Sequence, residues 1–248
     1  QIETLVDGQT YKLYERPVSG DTSFWSDLTG MARGTFRTED DYRNYIGQLN
    51  DMPRYFKDNT DNMRAGLKRG FTPPQVTLQG RDATITSVTD AKTVEDNIYY
   101  TPFKSLPATI PAAKQAELRK LAADAITKSV VPAHKTLLKF MRDEYMPGAT
   151  KSIAAYDLPD GKAFYQSQVR EYATVDMTPE QIHQIGLDEV AKIKAEMLAV
   201  KAQVKFDGDL PAFNNFLRTD PQFYVTTPQA LLDRAAWTAK EFDGKAAQ

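Results

Sequence analysis

The spacing of apolar and polar positions along the chain is mostly that of amphipathic helices. Thr38 has the side chain of a helix N-cap, and apolar residues follow it at helical intervals. Pro53 is expected to end or kink this helix, and a second helical run is expected to stop at Gly70. The apolar positions of the two runs are Tyr42, Tyr45, Ile46, Leu49, Tyr55, Phe56, Met63 and Leu67.

The helical pattern becomes continuous from Pro111, a residue type that suits the first position of a helix. Its apolar stripe crosses Pro132, where we expect a kink, and continues to Pro147-Gly148. A shorter helix is predicted after Asp160-Gly161. The members of the stripe are Leu118, Leu121, Ala122, Ala125, Ile126, Val130, His134, Leu137, Leu138, Met141 and Tyr145.

The clearest helix start in the sequence is the run Thr178-Pro179-Glu180-Gln181. A capping threonine, a proline at the first helical position and a glutamine two residues later form a capping box. The apolar positions that follow predict a long helix with one face directed to the protein interior. These positions are Ile182, Ile185, Val190, Ile193, Met197, Val200 and Val204. Two more helices are predicted after Asp209 and after Thr227-Pro228.

Residues 71–110 are the least regular part of the chain. Short alternating runs on both sides of Gly80-Arg81-Asp82 allow a small hairpin near residues 76–86. Residues 97–103 resemble an ordered aromatic loop. The predicted fold class is therefore all-α, mainly helical, with at most this hairpin.

We interpret residues 1–248 as a single helical fragment of a larger domain, because the chain begins at Gln1 and shows no leader sequence. Within it, residues 1–37 form an irregular aromatic segment with short helical pieces. Residues 38–110 are expected to form helices plus a loop, and residues 111–248 a long-helix bundle.

Composition removes many kinds of chemistry. The chain of 248 residues has no cysteine and two histidines, so disulfides, thiolate nucleophiles and cysteine-ligated metals are excluded. A net charge of −2 without a basic run disfavours nucleic-acid binding. No stretch approaches the roughly 20 apolar residues of a transmembrane segment. The phosphate-binding loops, the G-x-S-x-G elbow and the H-E-x-x-H zinc motif are all missing from the sequence.

The two histidines lie in different settings. His134 falls within the apolar stripe, where a buried histidine bonded to a neighbour is the favoured interpretation. A proton donor or ligand facing a cleft is the alternative. On the helix after Thr178, Glu189 falls on the apolar stripe, His183 lies on its flank, and Gly186 leaves room beside them. A carboxylate on a buried face needs a partner, so we name His183 and Glu189 as candidate cleft-lining residues. A structural ion pair of Glu189 is the alternative.

Three other clusters have structural explanations. Acidic residues 39–41 suit a helix N-terminus, and Arg142-Asp143-Glu144 suits a polar face or a salt bridge between helices. The aromatic side chains of residues 97–103 either pack under a loop, which is the more common case, or line a ligand groove.

Several segments are distinctive in their order and spacing. The most distinctive is Thr178-Pro179-Glu180-Gln181-Ile182-His183-Gln184-Ile185-Gly186-Leu187-Asp188-Glu189-Val190. Others are 17–27, 36–42, 62–67, 71–74, 140–145, 158–161 and 218–224. Together these segments resemble the bacterial "domain of unknown function 885" family. The resemblance implies a zincin-like, metallopeptidase-related helical protein that is exported or a lipoprotein. It also implies an H-E-x-x-H-type helix and a downstream glutamate.

The family's zinc-binding segment is expected C-terminal to the residues matched here, so no zinc ligand and no catalytic residue is assigned to this chain. The resemblance implies zinc and a peptide-like substrate for the full-length protein, in the periplasm or cell envelope. We therefore expect an inactive helical scaffold that supplies part of the substrate cleft. The alternative is a non-catalytic binding or interaction module, including a dimer formed through a surface that truncation exposes.

Overall fold

The computed structural model describes residues 2–19 and 22–246, and regular structure in this range is almost entirely helical. An isolated antiparallel bridge between Val18 and Ser23 is the one extended pairing in that range. The predicted all-α class is confirmed. By its contacts the chain forms two compact units, Gln1–Asp176 (unit 1) and Met177–Gln248 (unit 2), so a boundary falls inside the predicted 111–248 bundle.

Unit 1 is built around two long helical segments. One is α3, and the other runs from residue 112 to 148 because two π-helical turns, Ile126–Val130 and Met141–Tyr145, join α6, α7 and α8. The α-helices are α1 (Ile2–Thr10), α2 (Phe24–Asp27), α3 (Glu39–Arg69), α4 (Ala83–Thr89), α5 (Thr101–Lys104), α6 (Ala112–Ala125), α7 (Val131–Phe140), α8 (Met146–Gly148) and α9 (Gly161–Ala173). Short 3-10 turns occur at Leu13–Glu15, Leu28–Arg33, Gln75–Leu78, Ile98–Tyr100 and Ala155–Asp157.

Helix α3 begins and ends where its sequence indicates. The Thr38 N–H donates to the Asp41 carboxylate at 2.8 Å, and the Asp41 N–H donates back to the Thr38 hydroxyl at 3.3 Å. At the other end, Gly70 takes the left-handed conformation with φ of 81°. Of the end or kink expected at Pro53, the end is wrong, because α3 continues through this residue. The buried residues on either side, Met52 and Phe56, stabilise the helix despite the missing N–H.

The core of unit 1 lies where α3 and α4 each pack against the long 112–148 helix. Its largest fully buried side chains are mainly aromatic: Trp25, Tyr42, Tyr99, Tyr145, Phe71, Phe103 and Phe140, followed by Leu49, Met63, Leu78, Ile85 and Leu118. Full burial of such side chains contributes about 1.5–3 kcal/mol each, so this interface stabilises unit 1 strongly.

Each π turn in the long helix is followed, after one residue, by a proline. Pro132 is the second residue of α7, and Pro147 is the second residue of α8. The Val131 N–H closes the first turn by donating to the Ile126 carbonyl, five residues back. A proline inside an α-helix lacks an N–H and crowds an earlier carbonyl, and the wider turn accommodates both defects. The irregularity expected at Pro132 is thus a π turn.

The hairpin considered near residues 76–86 does not form, since this region is helical. Ile85 and Val88, one turn apart on α4, are 0% and 1% exposed, so burial of a helical face decides the structure. The Thr84 hydroxyl donates to the Arg81 carbonyl and accepts a hydrogen bond from the Trp25 indole N–H at 2.9 Å. The β-branched residues suggested strands, but their intrinsic preference is weaker than this packing.

The ordered loop expected at residues 97–103 is wrong, because this segment forms the 3-10 turn Ile98–Tyr100 and α5. Its aromatic side chains pack into the core. Its anchor is Asn97, whose side-chain amide donates to the Val88 carbonyl at 3.1 Å while its oxygen accepts from the Tyr99 N–H. Tyr99 and Phe103 are fully buried.

Unit 2 contains α10 (Pro179–Gln203), α11 (Leu210–Thr219) and α12 (Pro228–Ala246), as predicted. The capping box at Thr178 is confirmed: its hydroxyl accepts from the Gln181 N–H at 3.2 Å. The expectation that the apolar stripe of α10 faces an interior is wrong for the described residues, because α10 has no buried residue. Val190, for example, is 66% exposed.

We expect Gly66→Ala to destabilise unit 1 by about 1–3 kcal/mol. A Cβ at this position of α3 would lie 2.5 Å from the Glu15 carbonyl oxygen, so backbone would have to move. Urea unfolding followed by fluorescence of the buried Trp25 measures the change.

Gly47→Ala is the matched control, because it lies on the same helix with nothing within 4 Å of the added Cβ. It should stabilise the protein by about 0.5–1 kcal/mol. Equal effects of the two substitutions would contradict the close contact between α3 and residue 15.

Candidate functional site

The two residues proposed from helix geometry, His183 and Glu189, both lie on α10 of unit 2 and are exposed. The Glu189 side chain is 54% exposed and pairs with Lys192 at 3.4 Å. The expectation that Glu189 occupies a buried face is therefore wrong for the described residues. Gly186, between them, has open space around the position of a Cβ. The role of His183 and Glu189 in lining a cleft stays a prediction.

His134 is completely buried in unit 1. Its Nδ1–H donates to the Val130 carbonyl oxygen at 2.9 Å, and its ring centre lies 4.7 Å from that of Phe56 and 5.8 Å from that of Tyr99. Burial disfavours the imidazolium and lowers the His134 pKa to about 4. This is the buried histidine bonded to a neighbour that the apolar stripe indicates.

Two polar atoms beside this core have no hydrogen-bond partner among the described residues, His134 Nε2 and the Tyr99 hydroxyl. The neutral imidazole offers an acceptor at Nε2, and the Tyr99 hydroxyl offers a donor. Burial raises the Tyr99 pKa, so the hydroxyl keeps its proton at neutral pH.

A groove of about 250 Å³ lies between α3 and α7, next to the His134 core; we call it the α3–α7 groove. Its apolar lining is Pro53, Phe56, Pro132, Ala133 and Leu137, and its polar lining is Lys57, Thr60, Asp61, Arg64, Lys128 and Thr136. An apolar floor with an ionic rim suits one apolar side chain of a ligand. Sequence reasoning missed this groove, although its two mid-helix prolines were visible as helix irregularities.

The cations at the rim of the α3–α7 groove all have carboxylate partners. Lys57 pairs with Asp61 at 2.5 Å, and Lys128 pairs with Asp124 at 3.0 Å. Arg64 binds Glu144, on the second π turn, through Nε at 2.9 Å. Exposed pairs of this kind contribute little stability, but they leave the rim nearly neutral.

The acidic and mixed charge clusters have the structural roles expected of them. Asp41, in the cluster 39–41, caps α3, and its hydrogen bonds to the backbone of residues 37 and 38 lower its pKa. In the second cluster, Arg142 binds Asp82 at 2.6 Å, and Glu144 binds Arg64.

No group of three potential metal-ligating side chains occurs within residues 2–19 and 22–246. In the same range no helix has the length and apolar character to cross a membrane.

These features define an all-α protein whose buried polar groups and groove belong to unit 1. The model of the family "Bacterial protein of unknown function (DUF885)" matches residues 4–248, so the chain belongs to this family. No match was found among curated proteins.

Among solved structures, the chain is similar to a protein described as "the putative lipoprotein from Colwellia psychrerythraea". The TM-score is 0.78 at 20% sequence identity, which shows a shared fold. The match covers 92% of this chain and 40% of the other, so this chain spans less than half the length of that structure.

The pKa of His134 predicts a pH dependence of stability. A histidine in the unfolded chain has a pKa of about 6.5, whereas burial lowers the pKa of His134 in the folded chain to about 4. Between these two pH values the unfolded chain is protonated at His134 and the folded chain is not. The free energy of unfolding therefore falls as the pH drops through this window. Below about pH 4 both states are protonated, and the effect of His134 levels off. The His134 contribution is about 3 kcal/mol across the window.

Urea unfolding at several pH values measures this contribution by comparing the protein with its His134→Gln variant. Both chains share every carboxylate, so the difference in slope isolates His134. The variant is expected to be less stable at neutral pH and to lose less stability on acidification. Parallel pH profiles would show that His134 is not held neutral by burial.

Proposed function

We propose that this chain is the helical scaffold and substrate-cleft portion of a bacterial zinc-dependent, peptidase-like hydrolase. Its membership of the DUF885 family supports the proposal through the metallopeptidase relationship that the family resemblance implies. The fold also occurs as part of a longer chain in the Colwellia psychrerythraea structure. The description of that protein as a lipoprotein supports a location in the cell envelope.

The apolar surface of unit 2 carries the proposal. Helix α10 has a well-formed N-terminal cap and a regular apolar stripe, yet its stripe residues Ile185, Val190 and Ile193 are 48%, 66% and 49% exposed. On α12, Leu232 and Trp237 are 63% and 57% exposed. Apolar surface on this scale is typical of a face that packs against more protein. We propose that the metal-binding part of a family-length protein covers this apolar surface.

Among the described residues, no cluster of three potential metal ligands was found. The metal would be held elsewhere in a family-length protein, where bound zinc supplies an activated water for attack on a carbonyl. In the proposal, His183 and Glu189 line the polar flank of the cleft. No step of the reaction is assigned to them.

A non-catalytic binding or interaction module of the envelope is the second candidate. The same exposed side chains on α10 and α12 favour it, since they could be covered by another copy of the chain or by a different protein. This candidate predicts a dimer in solution or a peptide complex without hydrolysis.

We expect the 248-residue chain to bind no stoichiometric zinc and to hydrolyse no peptide, whereas a family-length protein containing it does both. Metal analysis of both proteins and hydrolysis of a peptide library provide the measurements. One tightly bound zinc per 248-residue chain would overturn the assignment of the metal to another part. A family-length protein without zinc would overturn the hydrolase proposal itself.

The covering of α10 can be tested without reference to zinc. Val190→Ser should leave the stability of the 248-residue chain within about 0.5 kcal/mol, because Val190 is 66% exposed. In a family-length protein the same change should cost about 1–3 kcal/mol, because a covered apolar contact is lost. Lys194→Ser, on the same helix, is the matched control and should have little effect in either protein.

Denaturant unfolding of the two proteins measures these effects, and light scattering reports the oligomeric state. Equal, small effects of Val190→Ser in both proteins would show that the stripe is not covered. A dimer of the 248-residue chain that Val190→Ser dissociates would favour the interaction module.

A further inference from the structure

Another cluster of side chains in unit 1 is built around Arg16, and it shares no residue with the lining of the α3–α7 groove. The guanidinium carbon of Arg16 lies 4.9 Å from the centre of the Phe71 ring and 5.5 Å from that of Phe164. Phe71 is fully buried and Phe164 is 3% exposed, and their ring centres are 5.5 Å apart. The two rings hold the guanidinium through cation–π contacts, which use none of its N–H donors.

The charges around Phe71 do not balance. Arg69 also lies against this ring, at 4.6 Å, and it binds the nearly buried carboxylate of Glu15 at 2.7 Å. The Arg69 guanidinium donates a further hydrogen bond to the Tyr11 carbonyl at 3.1 Å. Arg16 has neither an ion pair nor a side-chain hydrogen bond with any described residue. Two guanidinium groups therefore share one carboxylate, and the excess positive charge resides on Arg16.

A second unpaired donor interacts electrostatically with Arg16. Tyr145 is 0% exposed, and its hydroxyl has no hydrogen-bond partner among the described residues. Arg16 is close enough to act electrostatically on this hydroxyl, lowering a Tyr145 pKa that burial raises far more strongly. Burial also lowers the Arg16 pKa, so the guanidinium is partly withdrawn from water. A partly desolvated cation and a buried hydroxyl both favour an acceptor.

The side chains around Arg16 come from segments that are tied together. The Thr72 hydroxyl, next to Phe71, accepts a hydrogen bond from the Thr150 N–H at 2.9 Å, just after the helix that carries Tyr145. Helix α9, which carries Phe164, begins at Gly161, where an added Cβ would lie 2.4 Å from the Ala155 carbonyl oxygen. These two contacts hold the backbone segments that carry the two rings.

We propose that Arg16 and Tyr145, walled by Phe71 and Phe164, form a binding site for the carboxylate of an organic acid or of a peptide C-terminus. The planar guanidinium fork matches the two oxygens of a carboxylate, and the hydroxyl supplies a further donor. One net positive charge neutralises a carboxylate, whereas a phosphate dianion would keep an uncompensated charge. The site does not depend on the zinc proposal, since no metal takes part in it.

N-acetylalanine is the probe, and its uncharged amide, N-acetylalanine amide, is the matched ligand control. Binding is followed by NMR through the Nε–H resonance of Arg16, identified by its loss in Arg16→Lys. The acid should shift this resonance saturably and the amide should not.

Arg16→Gln and Tyr145→Phe, followed through neighbouring backbone amides, should each weaken binding by about tenfold or more. Arg16→Lys should restore only part of the affinity, because the fork is lost.

Arg37→Gln is the control variant, because it removes an exposed arginine and should leave binding unchanged. Urea unfolding of Tyr145→Phe verifies that the core is intact, so a loss of binding cannot arise from unfolding. Equal shifts with the acid and the amide would overturn the proposal. So would unchanged affinity in Arg16→Gln, or the absence of any saturable shift in the unmodified protein. Tighter binding of inorganic phosphate than of N-acetylalanine would overturn the assignment to a carboxylate.

Discussion

The packing of α3 against the long 112–148 helix is the contact on which unit 1 depends. One face of α3 buries side chains from Tyr42 to Met63, and the long helix buries the matching face from Leu118 to Tyr145. His134 is desolvated because it lies on this interface, beside Phe56. The α3–α7 groove is the place where the same interface opens toward solvent. Near its C-terminal end, α3 also fixes residue 15, and with it Arg16, through the close contact at Gly66.

Sequence patterns predicted the helices well wherever local chemistry determines their ends. The capping boxes at Thr38 and Thr178 and the terminating glycine at Gly70 all act within a few residues, so local residue types are sufficient. The continuation of α3 through Pro53 and the helical state of residues 83–89 depend on burial against distant segments. Local propensity favoured a break and a hairpin there, and tertiary packing outweighed both.

The candidate site was harder to predict for a related reason. Helical periodicity identified the apolar face of α10, but it cannot tell what covers that face, and Glu189 proved exposed. The environment of Arg16 combines residues from four separate segments, and nothing in their sequence spacing brings them together. An unpaired charge is a property of the folded neighbourhood. It becomes visible only when the partners of Arg69 and Arg16 can be compared.

The two π turns determine the phase of the long helix. Leu118 and Tyr145 are both fully buried on the same core, yet in an uninterrupted α-helix their side chains would point about 180° apart. Each π turn holds one residue more than an α turn, and two such turns return Tyr145 to the buried side. A single-residue deletion in either turn would rotate everything beyond it. The burial of Tyr145 in the core is therefore set by two extra residues in the backbone, at Ile126–Val130 and Met141–Tyr145.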